Sequence, residues 1–148
     1  MTLEGRILSP RGFVRGRLHF SERILAVEEA PVEGPDILPG FLDLHVHGGL
    51  GADAMEGKEA VLRMARFHLQ HGTTGLLATT VTAPPEDLRR ALSGIAEAMA
   101  ECEALLGAHL EGPFLSPKRL GAHPPFPQKP DPALMEDLLA PAPVRVVT

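Results

Sequence analysis

From Leu3 to Val27 apolar residues alternate with charged or polar ones, a period of two that predicts three short strands, at 3–9, 12–20 and 23–28. Ser9-Pro10-Arg11-Gly12 and Ser21-Glu22 read as the turns between them. Charges on one side and apolar side chains on the other are what antiparallel strands with one wet face require. A connector rich in proline and glycine, Pro31 to Pro39, then marks a boundary. Residues 1–38 are thus expected to form a small, incomplete antiparallel β domain, and 39–148 a second domain.

After Gly40 the pattern changes. An apolar strand at 41–47 leads to a helix at about 57–71, with Ala60, Val61, Met64, Ala65, Phe67 and Leu69 roughly on one side. Gly72 stops it, and 74–81 reads as the next strand. Pro84-Pro85-Glu86-Asp87 opens a second helix, expected to run to about Glu103 with Leu88, Leu92, Ile95 and Met99 at helical spacing. A strand at 105–111, a long loop from Gly112 to Pro132, a short helix at 133–139 and a strand at 144–148 complete the chain. This order builds an α/β fold with a parallel sheet by right-handed crossovers. Four such strands make either a small open sheet or the first half of a (β/α)8 barrel, which takes about 250 residues. The chain ends on an apolar strand with no covering helix, so a truncated barrel is the expectation. Its two open strand edges predict a homo-oligomer.

Composition narrows the function. A net charge of -5 and a pI near 5.8, with no basic stripe, speak against nucleic acid and anionic membranes as partners. Arg15 and Arg17 read as solvated on one strand face. No run reaches transmembrane length and the N-terminus lacks a signal-peptide core, which points to the cytoplasm. Cys102, the sole cysteine, excludes an intrachain disulfide and reads as a small packed residue at a helix end. The chain has no Asn, two Gln and 15 Pro, a bias found in thermophile proteins.

The candidate chemistry sits at strand ends. In Leu38-Pro39-Gly40-Phe41-Leu42-Asp43-Leu44-His45-Val46-His47-Gly48-Gly49, His45 and His47 are two apart and leave one face of the strand at its C-terminal end. Neutral imidazole is the commonest metal ligand, and such a pair offers two from one rigid element. Gly49-Leu50-Gly51-Ala52-Asp53-Ala54 matches a dinucleotide fingerprint in form. The acidic residue expected about 20 positions on is missing, so these glycines are read as room for backbone beside a metal centre. Glu111 follows the third strand, on the face of His109 and within reach of the two histidines. Glu plus two His suits a divalent transition metal of the Zn or Fe type. His123 lies in the long loop, His71 reads as a helix C-terminal residue, and His19 and His68 carry no functional signal.

Pro39-Gly40-Phe41-Leu42-Asp43-Leu44-His45-Val46-His47-Gly48 resembles the first-strand motif of the amidohydrolase superfamily. Together with His71-Gly72-Thr73-Thr74, His109-Leu110-Glu111-Gly112-Pro113-Phe114 and Lys118-Arg119-Leu120-Gly121-Ala122-His123-Pro124-Pro125, the chain is similar to the N-acetylglucosamine-6-phosphate deacetylase family. The resemblance covers essentially the whole chain. It implies the N-terminal half of a TIM-like (β/α)8 barrel preceded by the small β domain. It also implies metal-dependent hydrolysis of the acetamide of N-acetylglucosamine 6-phosphate, giving glucosamine 6-phosphate and acetate. Glu111 is implied as a metal ligand, His45 and His47 as ligands of a second, variably occupied position, and Ala122 and His123 as substrate contacts. The family's catalytic aspartate and further metal-binding histidines belong to strands beyond this chain, so the 148 residues alone are expected to be inactive.

Overall fold

In the computed structural model, which describes residues 1–148, the alternating N-terminal stretch folds into one four-stranded sheet. Its strands are β1 (Thr2–Ser9), β2 (Gly12–Phe20), β3 (Ile24–Glu29) and β4 (Asp36–Ile37), in the order β3-β2-β1-β4. β1 pairs antiparallel with β2, and β2 with β3, whereas β4 runs parallel to β1. β4 falls inside the stretch read as a bare connector. Its two residues are too few to leave a periodic signal.

The charges on this sheet are paired across strands. Arg17 lies directly opposite Glu4, with Nε 2.7 Å from Oε1, and its guanidinium also reaches Glu28 at 3.3 Å. Arg15 contacts Glu33 at 2.8 Å, and Arg6 Nε donates to Asp36 at 2.6 Å. Arg15 and Arg17 are solvent-accessible, as expected, and each is also ion-paired with carboxylates from segments distant in sequence. Of the large apolar residues here only Ile7 is buried.

Met1–Pro39 forms one compact unit and Gly40–Thr148 another. In the second, β5 (Phe41–Val46), β8 (Thr73–Thr79), β9 (Leu105–Leu110) and β10 (Val144–Val147) form a parallel sheet in which each strand neighbours the one before it. Between β5 and β8 come a small hairpin, β6 (Gly48–Gly49) and β7 (Ala52–Asp53), a single 3-10 turn at Ala54–Glu56, and helix α1 (Lys58–Gln70). Asp53 caps that turn, accepting the Met55 N–H at 2.8 Å, while Glu56 accepts the Asp53 N–H at 3.2 Å. At the other end of α1 the chain leaves the helix through Gly72, whose φ of 92° disfavours any side chain.

Helix α2 (Pro85–Met99) buries Leu88, Ala91, Leu92, Ile95 and Ala98, one face at helical spacing. It ends at Met99 and not near Glu103. The last turn tightens as the Ala100 and Glu101 N–H groups bond to Glu97 and Ala98, releasing the chain into β9. Cys102 lies in that connecting turn, buried as a packed residue but outside the helix. In α1, Leu69 is 40% exposed while Leu62 is buried, so the packed stripe is rotated from the one the sequence suggested. Val61, Leu62, Met64, Leu76, Leu88, Leu92, Ile95 and Leu110, with Leu138 of α3 (Pro132–Leu139), fill the core between sheet and helices. No helix is long and apolar enough to cross a membrane.

Candidate metal centre

The C-terminal ends of β5, β8 and β9 meet, and the segment Thr79-Thr80-Val81-Thr82 at the end of the middle strand ties the other two together. Thr79 Oγ1 accepts the Val46 N–H at 2.9 Å, and the Thr79 carbonyl accepts Nδ1–H of His47 at 3.1 Å. Thr80 Oγ1 accepts the Glu111 N–H at 3.2 Å, and the Thr82 N–H donates to His123 Nδ1 at 3.1 Å. All three threonines are fully buried. Sequence reasoning passed over them because threonine is ordinary in strands. The signal available was a cluster of three hydroxyls directly after the apolar run Leu76-Leu77-Ala78.

His45, His47 and Glu111 converge, their ligand atoms all within 4.8 Å of one another. His45 Nε2 and His47 Nε2 are 3.1 Å apart, and Glu111 Oε2 lies 3.1 Å from His47 Nε2 and 3.6 Å from His45 Nε2. The bonding of His47 gives these distances a meaning. A carbonyl can only accept, so the proton of the neutral His47 ring sits on Nδ1 and its Nε2 presents a lone pair. That lone pair faces a carboxylate oxygen that is buried and has no hydrogen-bond partner. Two acceptors set face to face form an unfavourable contact unless a proton or a metal ion lies between them.

The donor set fits such a cation. Tetrahedral zinc with bonds of about 2.0–2.1 Å sets its ligand atoms about 3.3–3.4 Å apart; the observed 3.1, 3.1 and 3.6 Å bracket that spacing. His45 is the most accessible of the three, its side chain 49% exposed against 15% for Glu111. In the free site His45 Nε2–H can donate to His47. To ligate, it must move that proton to Nδ1, which faces no protein partner.

The other sequence candidates have different placements. His123 folds back from its loop, with Nε2 3.3 Å from Glu111 Oε1 and a side chain 13% exposed. Ala122 is exposed in the same loop. His109 is buried edge-on to His45, but Nδ1 donates to the Leu44 carbonyl at 3.1 Å and Nε2 accepts from Thr148 at 2.8 Å. Both its nitrogens are committed, so it supports β5 and β10 and offers no lone pair. His68 holds the Gly48 carbonyl at 3.0 Å, and His71 the Phe67 carbonyl at 2.8 Å. The glycines after His47 also serve a tight turn. They make the β6–β7 hairpin, where a Cβ on Gly48 would sit 2.3 Å from the Ala52 carbonyl oxygen.

Residues 37–147 match the family model described as the amidohydrolase family. Over 126 residues, 81% of this chain, the sequence is 39% identical to N-acetylglucosamine-6-phosphate deacetylase of Mus musculus. Among solved structures, the N-acetyl-D-glucosamine-6-phosphate deacetylase of Mycobacterium smegmatis superposes with a TM-score of 0.84 at 35% identity, covering 99% of this chain and 46% of that one. A mutant of the same enzyme in complex with N-acetyl-D-glucosamine-6-phosphate superposes with a TM-score of 0.81 at 36% identity, covering 94% of this chain and 40% of that one. The chain spans about 30% of the length of the curated relatives it matches.

Proposed function

From the premise that this chain belongs to the amidohydrolase family, we propose that it supplies metal donors and part of the substrate surface of an N-acetylglucosamine-6-phosphate deacetylase. The observation that carries this reading is the buried, unpartnered Oε2 of Glu111, 3.1 Å from His47 Nε2 and 3.6 Å from His45 Nε2. In it His45, His47 and Glu111 hold a divalent ion of the Zn or Fe type. When bound, that ion lowers the pKa of a water and polarises the acetamide carbonyl. His47 is oriented for ligation by the Thr79 carbonyl, and Glu111 by Thr80 and His123. The loop carrying Ala122 and His123 contacts the amino-sugar phosphate. Glu111 is the one carboxylate of the cluster; as a ligand it is not free to act as general base, so these residues bind and orient but do not turn substrate over.

The strictly sequential, all-parallel order β5-β8-β9-β10 supports a finer reading of the fold, the opening strands of a (β/α)8 barrel. A doubly wound sheet reverses its strand order at a switch point, and none is present here. Sites of such barrels lie at the C-terminal strand ends, where these donors are.

Calorimetry with Zn²⁺ and amide NMR with N-acetylglucosamine 6-phosphate test the proposal on the 148-residue chain. Weak but saturable Zn²⁺ binding, lost in Glu111→Ala, and sugar-phosphate shifts centred on Ala122 and His123 are expected, with no acetate released. Zn²⁺ binding unchanged by Glu111→Ala refutes the ligand set, and measurable turnover refutes the division of roles.

A further inference from the structure

His123 belongs to the stretch between β9 and α3 that carries no regular element, yet its ring is nearly enclosed and both nitrogens face the protein. The Thr82 N–H donates to Nδ1 at 3.1 Å. A nitrogen that accepts from an amide carries no proton, so the neutral ring keeps its hydrogen on Nε2. That nitrogen is the one 3.3 Å from Glu111 Oε1. The two oxygens of Glu111 therefore meet opposite partners. Oε1 faces an N–H edge, while Oε2 faces the lone pair of His47.

We propose that His123 is a positioning residue for the metal site and not one of its ligands. A carboxylate at the end of a glutamate turns easily about its last torsion. The Nε2–H edge of His123, 3.3 Å away, attracts Oε1, and this leaves Oε2 turned toward His45 and His47. The tautomer that does this is set by a backbone amide of the neighbouring strand end, which no side-chain substitution at Thr82 short of proline removes. The loop bearing Ala122 is tied to the metal ligand through the same ring. Loop order and ion affinity are then linked, and each strengthens the other by the same factor. The inference rests on the metal reading given above.

Long-range ¹H–¹⁵N correlation of the histidine rings in the 148-residue chain, before and after Zn²⁺, tests it. His123 is expected as the Nε2–H tautomer in both states, while His45 and His47 acquire the shifts of Nε2 ligation. His123→Phe should weaken Zn²⁺ binding about 10–100-fold, the usual loss for an outer partner of a ligand. His123→Gln, which keeps an N–H at similar reach, should recover most of that. An Nδ1–H tautomer at His123, ligation by its Nε2, or undiminished affinity in His123→Phe overturns the proposal. If His123→Phe does not fold, the tautomer and the Gln variant decide. Zn²⁺ that leaves His45 and His47 unshifted refutes the metal reading itself, and the role assigned to His123 with it.

Discussion

The unit Met1–Pro39 and the unit Gly40–Thr148 are built from similar amounts of strand but hold themselves together differently. In the first, one large apolar side chain, Ile7, is buried, while Leu3, Leu8, Phe13, Ile24, Leu25, Val27 and Leu38 stay exposed. The sheet relies on its ladder and on exposed pairs such as Arg17–Glu4 and Arg6–Asp36. In the second, helices cover the sheet and a continuous core encloses side chains from β5 to α3. Exposed ion pairs contribute little against the entropy of ordering two long side chains, whereas each enclosed leucine contributes on the order of 2 kcal/mol. The lesson is that sheet pairing alone does not enclose side chains: Glu111 follows a strand, β9, that is largely buried, whereas β5, which carries His45, buries Val46 and leaves Phe41, Leu42 and Leu44 exposed.

The largest expected contrast comes from matched leucine truncations. Leu92→Ala, at a fully buried position, should cost about 2–5 kcal/mol by urea denaturation. Leu25→Ala in β3, where the side chain is 64% exposed, should fall within about 0.5 kcal/mol of the parent. A comparable cost at Leu25 would mean that the first unit packs more tightly in solution than its exposed residues indicate. Next in size is Glu111→Gln. It should abolish Zn²⁺ binding yet raise stability by about 1 kcal/mol in a metal-free melt, because the amide can donate where Oε2 finds no partner. A destabilised Gln variant would show that the carboxylate is satisfied without metal.

A smaller gain is expected at Leu50, which takes a φ of 51° in the β6–β7 turn while 65% exposed. Leu50→Asn should add about 0.5–1 kcal/mol in thermal unfolding, since asparagine accepts the left-handed conformation and little burial is lost. Unchanged melting would locate the turn's strain elsewhere. The smallest effect is acid sensitivity. The Arg6 hydrogen bond, chiefly, holds the Asp36 carboxyl below its ordinary range. A depressed carboxylate adds stability above its unfolded pKa, and that stability fades as pH falls through the folded one. Below about pH 4, β4 amides should therefore lose protection relative to their intrinsic exchange rates, and in Asp36→Asn this pH step should disappear.

Much of this was legible in the chain because period and punctuation act locally. Gly72 ends a helix wherever it stands, and Pro84-Pro85-Glu86-Asp87 starts one. His45 and His47 were legible as a pair since residues two apart on a strand share a face. Glu111 was legible because it follows an apolar strand in a position equivalent to theirs. What stayed hidden was set by partners far away in sequence. The pairing of Arg17 with Glu4 depends on the β1–β2 register, and the roles of Thr79, Thr80 and Thr82 depend on β8 lying between β5 and β9. Nothing near His123 in the sequence announces that its ring reaches a strand end 41 residues earlier. The β6–β7 hairpin was not visible, because glycines that permit a tight turn and glycines that make room for a ligand look alike.

The neighbour-by-neighbour strand order also bears on how the protein is made. Each strand of the parallel sheet pairs with one already present when it leaves the ribosome, so the sheet can be laid down in the direction of synthesis. At about 5–20 residues per second, His45 and His47 emerge several seconds before Glu111. During that interval the two imidazoles stand without their carboxylate and without the threonine end of β8. On the proposed ligand set, a metal ion encountered then would meet two of the three donors, and capture would wait for the strand that brings the third.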